Sequence, residues 1–129
     1  MPTCAIISFR LGLTDGVSIV AATWADALRS FGFDVTTVAG AGPVDVTIPG
    51  LAIDAPPGDD LTDAVADALG DADLVVVENL CTIPLNLPAA RVVVDVLRGR
   101  PAILHHHDPP WQRERFTAVT ELPAVDPAW

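Results

Sequence analysis

Three consecutive histidines stand beside an aspartate in the run Leu104-His105-His106-His107-Asp108-Pro109-Pro110-Trp111-Gln112-Arg113, and they are all the histidines of this 129-residue chain. Imidazole has the ordinary pKa nearest neutral pH, so it serves as general acid or base and as a metal ligand. Alternate residues of an extended segment share a face, which puts His105 and His107 on one side and His106 on the other. A metal needs a third or fourth ligand in fixed geometry. Asp108 is the nearest candidate, but adjacent residues seldom chelate one ion, so no metal is expected. The plainer reading is one buried, hydrogen-bonded histidine beside two solvated ones. Asp108 then orients an imidazole or caps the next turn.

Two further groups have the residue types for ligand contact. Arg10 follows an apolar run and precedes Gly12 and Gly16, which flank Thr14-Asp15. Glycine lets backbone approach a ligand closely, free N–H groups at a helix start favour anions, and a nearby guanidinium can hold phosphate. The spacing is neither GxGxxG nor a P-loop, and a tight turn with Asp15 as helix cap explains it equally. Glu78 and Asn79 end another apolar run, either as a loop hydrogen-bond pair or as ligand contacts. Trp111 is core, a platform for a ring, or a lid. One of Arg113 and Arg115 is expected to pair with Glu114 or Glu121 on a solvated face.

Alternating elements must position these groups. Thr3 to Phe9 reads as a buried strand, and Val17, Val20, Ala21, Trp24, Leu28 and Phe31 form the apolar stripe of a helix closed by Gly32. Val35 to Ala39 reads as a strand, with a short one at Val46 to Ile48. Asp60, with Asp63 as partner, caps a helix faced by Leu61, Val65 and Leu69 and ended by Gly70. Asp73 to Val77 is a strand buried on both faces. Asn86 caps a helix with Pro88 in its first turn; Leu87, Ala90, Val93, Val94 and Leu97 face the core. Gly99 closes that helix, and Pro101 to His105 reads as a last buried strand. Trp111 to Arg115 starts a further helix, and 116–129 is irregular. The order predicts one Rossmann-like α/β domain over residues 1–129, a doubly wound parallel sheet. Its strand-to-helix loops gather at the carboxyl edge, where such sheets bind ligands.

Composition excludes several classes. Half of the residues are apolar, and the formal charge is -10 with seven arginines and no lysine. Such a chain repels phosphate backbones, so nucleic acid is not an expected partner, although local arginines can hold one small phosphorylated ligand. Cys4 and Cys81 lack CxxC spacing and read as reduced thiols of a cytoplasmic protein. No signal peptide or run of about 20 apolar residues is present, so the protein is expected to be soluble, with peripheral membrane contact left open.

Taken together, Arg10-Leu11-Gly12-Leu13-Thr14-Asp15-Gly16-Val17-Ser18, Glu78-Asn79-Leu80 through Pro84-Leu85-Asn86, and His106-His107-Asp108 before Pro110-Trp111-Gln112-Arg113 resemble the N-terminal half of a GT-B glycosyltransferase of family 4, with its glycosyltransferase 4-like N-terminal domain. The resemblance covers nearly the whole chain. It implies two Rossmann-like domains working across a cleft, the first binding a sugar, polyol or lipid acceptor and the second a nucleotide-sugar donor. It implies retaining transfer, usually without a metal, and no cofactor. It puts Gly12 and Gly16 near the donor diphosphate and makes His107 the catalytic-site histidine near the transferred sugar. Arg10, Glu78, Asn79, His105, Asp108, Trp111 and Arg113 are the expected substrate contacts.

The chain departs from the pattern twice. Leu13 follows Gly12 where the family often has a second glycine, and the C-terminal domain with its Glu-rich donor motif is absent from the sequence. The chain is therefore expected to be inactive alone and to need that domain or a partner chain, since transfer requires donor and acceptor held together. The alternative is a non-catalytic Rossmann-like module that binds a ligand or a protein, with an edge near Trp111 and Trp129 as its contact. A dinucleotide oxidoreductase fits worse, because Gly40 stands after Ala39 where an acidic residue would hold the ribose.

Overall fold

In the computed structural model, which describes residues 1–124, β1 spans Thr3–Arg10, α1 Gly16–Ser30, β2 Asp34–Ala41 and the short β3 Val46–Thr47. A 3-10 turn at Pro49–Leu51 leads to α2, Leu61–Leu69. Then follow β4 (Leu74–Glu78), α3 (Leu87–Leu97) and β5 (Ala102–His105). The strands pair in parallel in the order β3-β2-β1-β4-β5. This is the expected α/β, Rossmann-like sheet. The chain leaves β1 toward β2 on one side and returns to β4 on the other, so the β1/β4 boundary is the topological switch point.

Side-chain alternation splits the core into two layers. Cys4 and Ile6 of β1 and Val76 of β4 pack with Ala21 and Ala25 of α1. Ala5, Ile7 and Phe9 of β1 and Val75 and Val77 of β4 pack with α2 and α3 through Val65, Leu69, Ala90 and Val93. Both faces of β1 and β4 are covered, which is why their sequences are continuous apolar runs rather than alternating ones.

The helix starts that flank the site are capped by side chains. Asp15 accepts the backbone N–H of Ser18 (3.2 Å) and its hydroxyl (2.7 Å). Asn86 accepts the N–H of Ala89 at 3.1 Å and donates to the carbonyls of Gly50 and Ala52 at 2.8 and 2.7 Å. One side chain thus starts α3 and ties down the 50–52 segment.

Several expectations are corrected. Asp60 precedes α2 but makes no side-chain cap hydrogen bond. Phe31 is 78% exposed because α1 ends before its stripe reaches the sheet again. The last strand is an edge strand rather than a buried one: Ala102 is exposed and Ile103 is 40% exposed, since among the described residues β4 alone pairs with it. The expected helix at 111–115 is two 3-10 turns, Pro110–Gln112 and Glu114–Phe116. The irregular tail is described only to residue 124, so Trp129 lies outside the described residues.

Candidate functional site

The register of β4 and β5 sets Glu78 directly beside His105. Glu78 has the same parity as Leu74 and Val76 and therefore points to the α1 face. Its side chain is fully buried. Oε2 lies 3.0 Å from His105 Nδ1 and 2.5 Å from His107 Nε2. The two imidazoles tilt against one another with ring centroids 4.3 Å apart, and the Trp24 ring of α1 lies 4.7 Å from that of His105. A buried carboxylate is costly unless hydrogen-bonded, and two ring N–H groups can serve it. Among the described residues, Glu78, His105 and His107 also form a group able to hold a metal.

Asn79 fixes the chain that carries the histidines. Its Oδ1 accepts the backbone N–H groups of His107 and Asp108, both at 3.1 Å, and its Nδ2 donates to Asp108 at 2.9 Å. Its own N–H donates to the His105 carbonyl at 2.9 Å. Asn79 adopts a left-handed backbone, φ 65°, which asparagine tolerates better than most residues. His106 points the other way, to Thr82, as alternation requires. Burial, then the neighbouring His105 and His107, push its pKa below the usual imidazole value.

A cavity of about 380 Å³ opens beside this network, at the carboxyl ends of β1 and β4. Arg10, Asp15, Asn79, Asp108, Arg113 and Arg115 contribute its polar wall. Arg10 pairs with Asp15 at 3.5 Å and Arg113 with Asp108 at 3.5 Å; all four groups are partly exposed, so the pairs are weak and open to exchange for a ligand. Partial burial opposes ionisation of Asp15, but the Ser18 hydrogen bonds and Arg10 prevail and hold its carboxyl below the usual range. A larger cavity of about 570 Å³ lies between the 47–50 segment and α2, with Asp60 as its one titratable lining group. Its walls supply little chemistry.

The expected residues thus separate into groups. Arg10, Asn79, Asp108 and Arg113 share the switch-point cavity; Glu78, His105 and His107 form the buried network next to it. Gly12 lines a different hollow of about 270 Å³, against Pro43 and α1, and Gly16 is the first residue of α1. Trp111 is 59% exposed, which removes the core reading. The expected partners of Arg113 and Arg115 are corrected: Glu121 pairs with Arg91, Arg113 with Asp108, and Arg115 lies over the Phe116 ring. Asp108 is engaged by Asn79 and Arg113.

Trp24 and Thr82 complete the surroundings of the histidines and were not legible as site residues. Trp24 reads as one more apolar position of the α1 stripe, and Thr82 carries no motif. No helix among the described residues is long and apolar enough to cross a membrane. No family model, no curated protein and no solved structure matches this chain.

Proposed function

We propose that the chain is the acceptor-binding half of a retaining glycosyltransferase that takes its sugar from a nucleotide-sugar donor. The observation that carries the reading is the switch-point cavity, in which Arg10 from the end of β1, Asn79 from just after β4, and Asp108 and Arg113 from the segment after β5 come together. Its mixture of guanidinium, carboxylate and amide groups suits a polyhydroxylated ligand, phosphorylated or not. His107 has Nε2 engaged by Glu78, which orients the ring and leaves Nδ1 as the nitrogen available to a ligand. A donor-binding domain must face this wall for transfer, so the chain by itself binds but does not turn over. A cytoplasmic setting suits its two buried, unpaired thiols.

The test is a titration of the labelled chain with sugar phosphates, free polyols and nucleotide-sugars, followed by amide chemical shifts. Weak binding of an acceptor-type ligand that moves Arg10, Asn79 and Asp108, and that Arg10→Ala removes, supports the reading. Shifts confined to other surfaces, or sugar transfer by the chain alone, refute it. In a protein that includes the donor domain, His107→Ala lowers turnover. A second reading, a non-catalytic docking module, draws on exposed Trp111 and Leu13; binding to a protein partner with no response to any sugar ligand favours it.

A further inference from the structure

Glu78 is fully buried, and its ion pairs among the described residues are with two imidazoles, His105 and His107. Neutral imidazoles give a carboxylate hydrogen bonds but no opposite charge, and a buried charge without compensation is costly. Glu78, His105 and His107 each offer a ligand atom within 4.8 Å of the other two, and Glu78 Oε2 is 3.0 Å from His105 Nδ1 and 2.5 Å from His107 Nε2. We propose that Glu78, His105 and His107 form a site for a divalent transition metal of the zinc class, with a coordination position left open to solvent. The site stands on its own geometry and does not rest on the glycosyltransferase reading.

Two imidazoles and one carboxylate are a donor set that zinc and ferrous iron take, leaving further positions for water or a ligand. The sheet supplies the set. His105 and His107 share a face because they are two residues apart, and the parallel register brings Glu78 to the same face from β4. His106, between them, is turned to Thr82 and is excluded. Bonds of about 2.0–2.2 Å in a tetrahedral site put ligand atoms about 3.3 Å apart. The Glu78–His105 and Glu78–His107 separations, 3.0 and 2.5 Å, are shorter, so the ligands must spread by less than about 1 Å. The ion then takes the place of the protons shared in the two hydrogen bonds, and binding releases protons.

The supporting shell is already built. Asn79 holds the backbone N–H of His107, Trp24 packs on the His105 ring, and the Ser8 hydroxyl donates to the Glu78 carbonyl at 2.7 Å. These contacts fix the backbone that carries His107 and Glu78 and cover one side of the His105 ring. The His105 and His107 side chains are 29% and 16% exposed, which leaves an approach for the ion from solvent.

The experiment titrates the metal-free chain with Co²⁺ and with Zn²⁺. We expect one ion per chain, visible absorption typical of low-coordinate cobalt, displacement of cobalt by zinc, and a higher melting temperature with zinc. His105→Ala and His107→Ala each weaken binding at least about 10–100-fold, while His106→Ala leaves it unchanged. Glu78→Gln keeps the side-chain shape and weakens binding likewise; its circular dichroism reports whether it folds, and the comparison of His106→Ala with His107→Ala stands without it. No one-to-one binding at about 1 mM metal, or equal loss in His106→Ala and His107→Ala, overturns the proposal. Sugar-ligand shifts at Arg10 without metal binding would sink the metal site and leave the transferase reading intact.

Discussion

Asn79 and Asp108 are bonded to each other twice: the Asn79 amide donates to the Asp108 carboxylate at 2.9 Å, and the Asp108 backbone N–H donates to the Asn79 carbonyl oxygen at 3.1 Å. This clasp joins the end of β4 to the histidine loop, and the third bond, from His107 N–H, aligns the catalytic-site candidate. Asn79→Gly keeps the left-handed backbone and removes the clasp. It should cost about 1–3 kcal/mol in urea unfolding, with faster amide exchange at His107 and Asp108. Asn79→Ala should cost a further 1–2 kcal/mol or so, because its Cβ strains a backbone at positive φ. Unchanged exchange at both amides would show that the loop is held by other contacts.

Asn86 is a second clasp, with a structural task. It caps α3 and satisfies two carbonyls of the 50–52 segment. Asn86→Ala should destabilise by about 1–3 kcal/mol, since a lost cap and two part-buried acceptors without donors combine. Asn86→Asp keeps the cap acceptor but sets a carboxylate against two carbonyls, so it should rescue little. Full stability of the aspartate variant would locate the whole effect in the cap.

The two glycines of the first loop should separate under substitution. Gly12 has φ +76°, and a Cβ there would lie 2.6 Å from the Pro43 carbonyl oxygen. Gly12→Ala should cost more than about 2 kcal/mol, from backbone strain and overlap together. A Cβ at Gly16 meets nothing within 4 Å. Gly16→Ala should be neutral or stabilising by about 0.4–1 kcal/mol. Equal melting temperatures for the two variants would contradict this account of the loop.

The lowered pKa of His106 makes stability depend on pH in a defined window. Between its folded and unfolded pKa values the unfolded chain binds more protons, so stability rises with pH there. The contribution is complete above the ordinary imidazole value of 6.5 and is lost as pH falls through the folded pKa. His106→Asn should flatten the decline in unfolding free energy measured as pH falls below the ordinary imidazole value of 6.5. Asp15 acts lower, where its depressed pKa gives stability that is lost only as pH falls below the usual carboxylate value of 3.8. A His106→Asn profile that superimposes on wild type would assign the decline below pH 6.5 to other groups.

Burial raises the Cys81 thiol to about 12 and Cys4 to about 11. The thiolate is the reactive form, so the native chain should react with a thiol reagent only slowly at neutral pH. Both cysteines should titrate on unfolding. Rapid labelling of Cys81 in native conditions would mean that the 79–86 loop opens readily.

The sequence alone determined the order of strands and helices, because apolar runs buried on both faces and helical stripes leave different periods. It offered Asp15 as one reading of the first loop and Asn86 as a helix cap, since that chemistry is local, and it parted His105 and His107 from His106. Asp60 shows the limit of the same local logic, for its side chain does not turn back to its helix. Tertiary structure decided what the histidines face. Glu78 and His105 are 27 residues apart, and only parallel pairing of β4 with β5 makes them neighbours. Trp24 reaches the same place from α1, and Arg113 turns to Asp108 instead of Glu121. A pattern of residue types records which face a side chain takes; which strand lies alongside is set by burying both sheet faces at once, a condition on the whole chain.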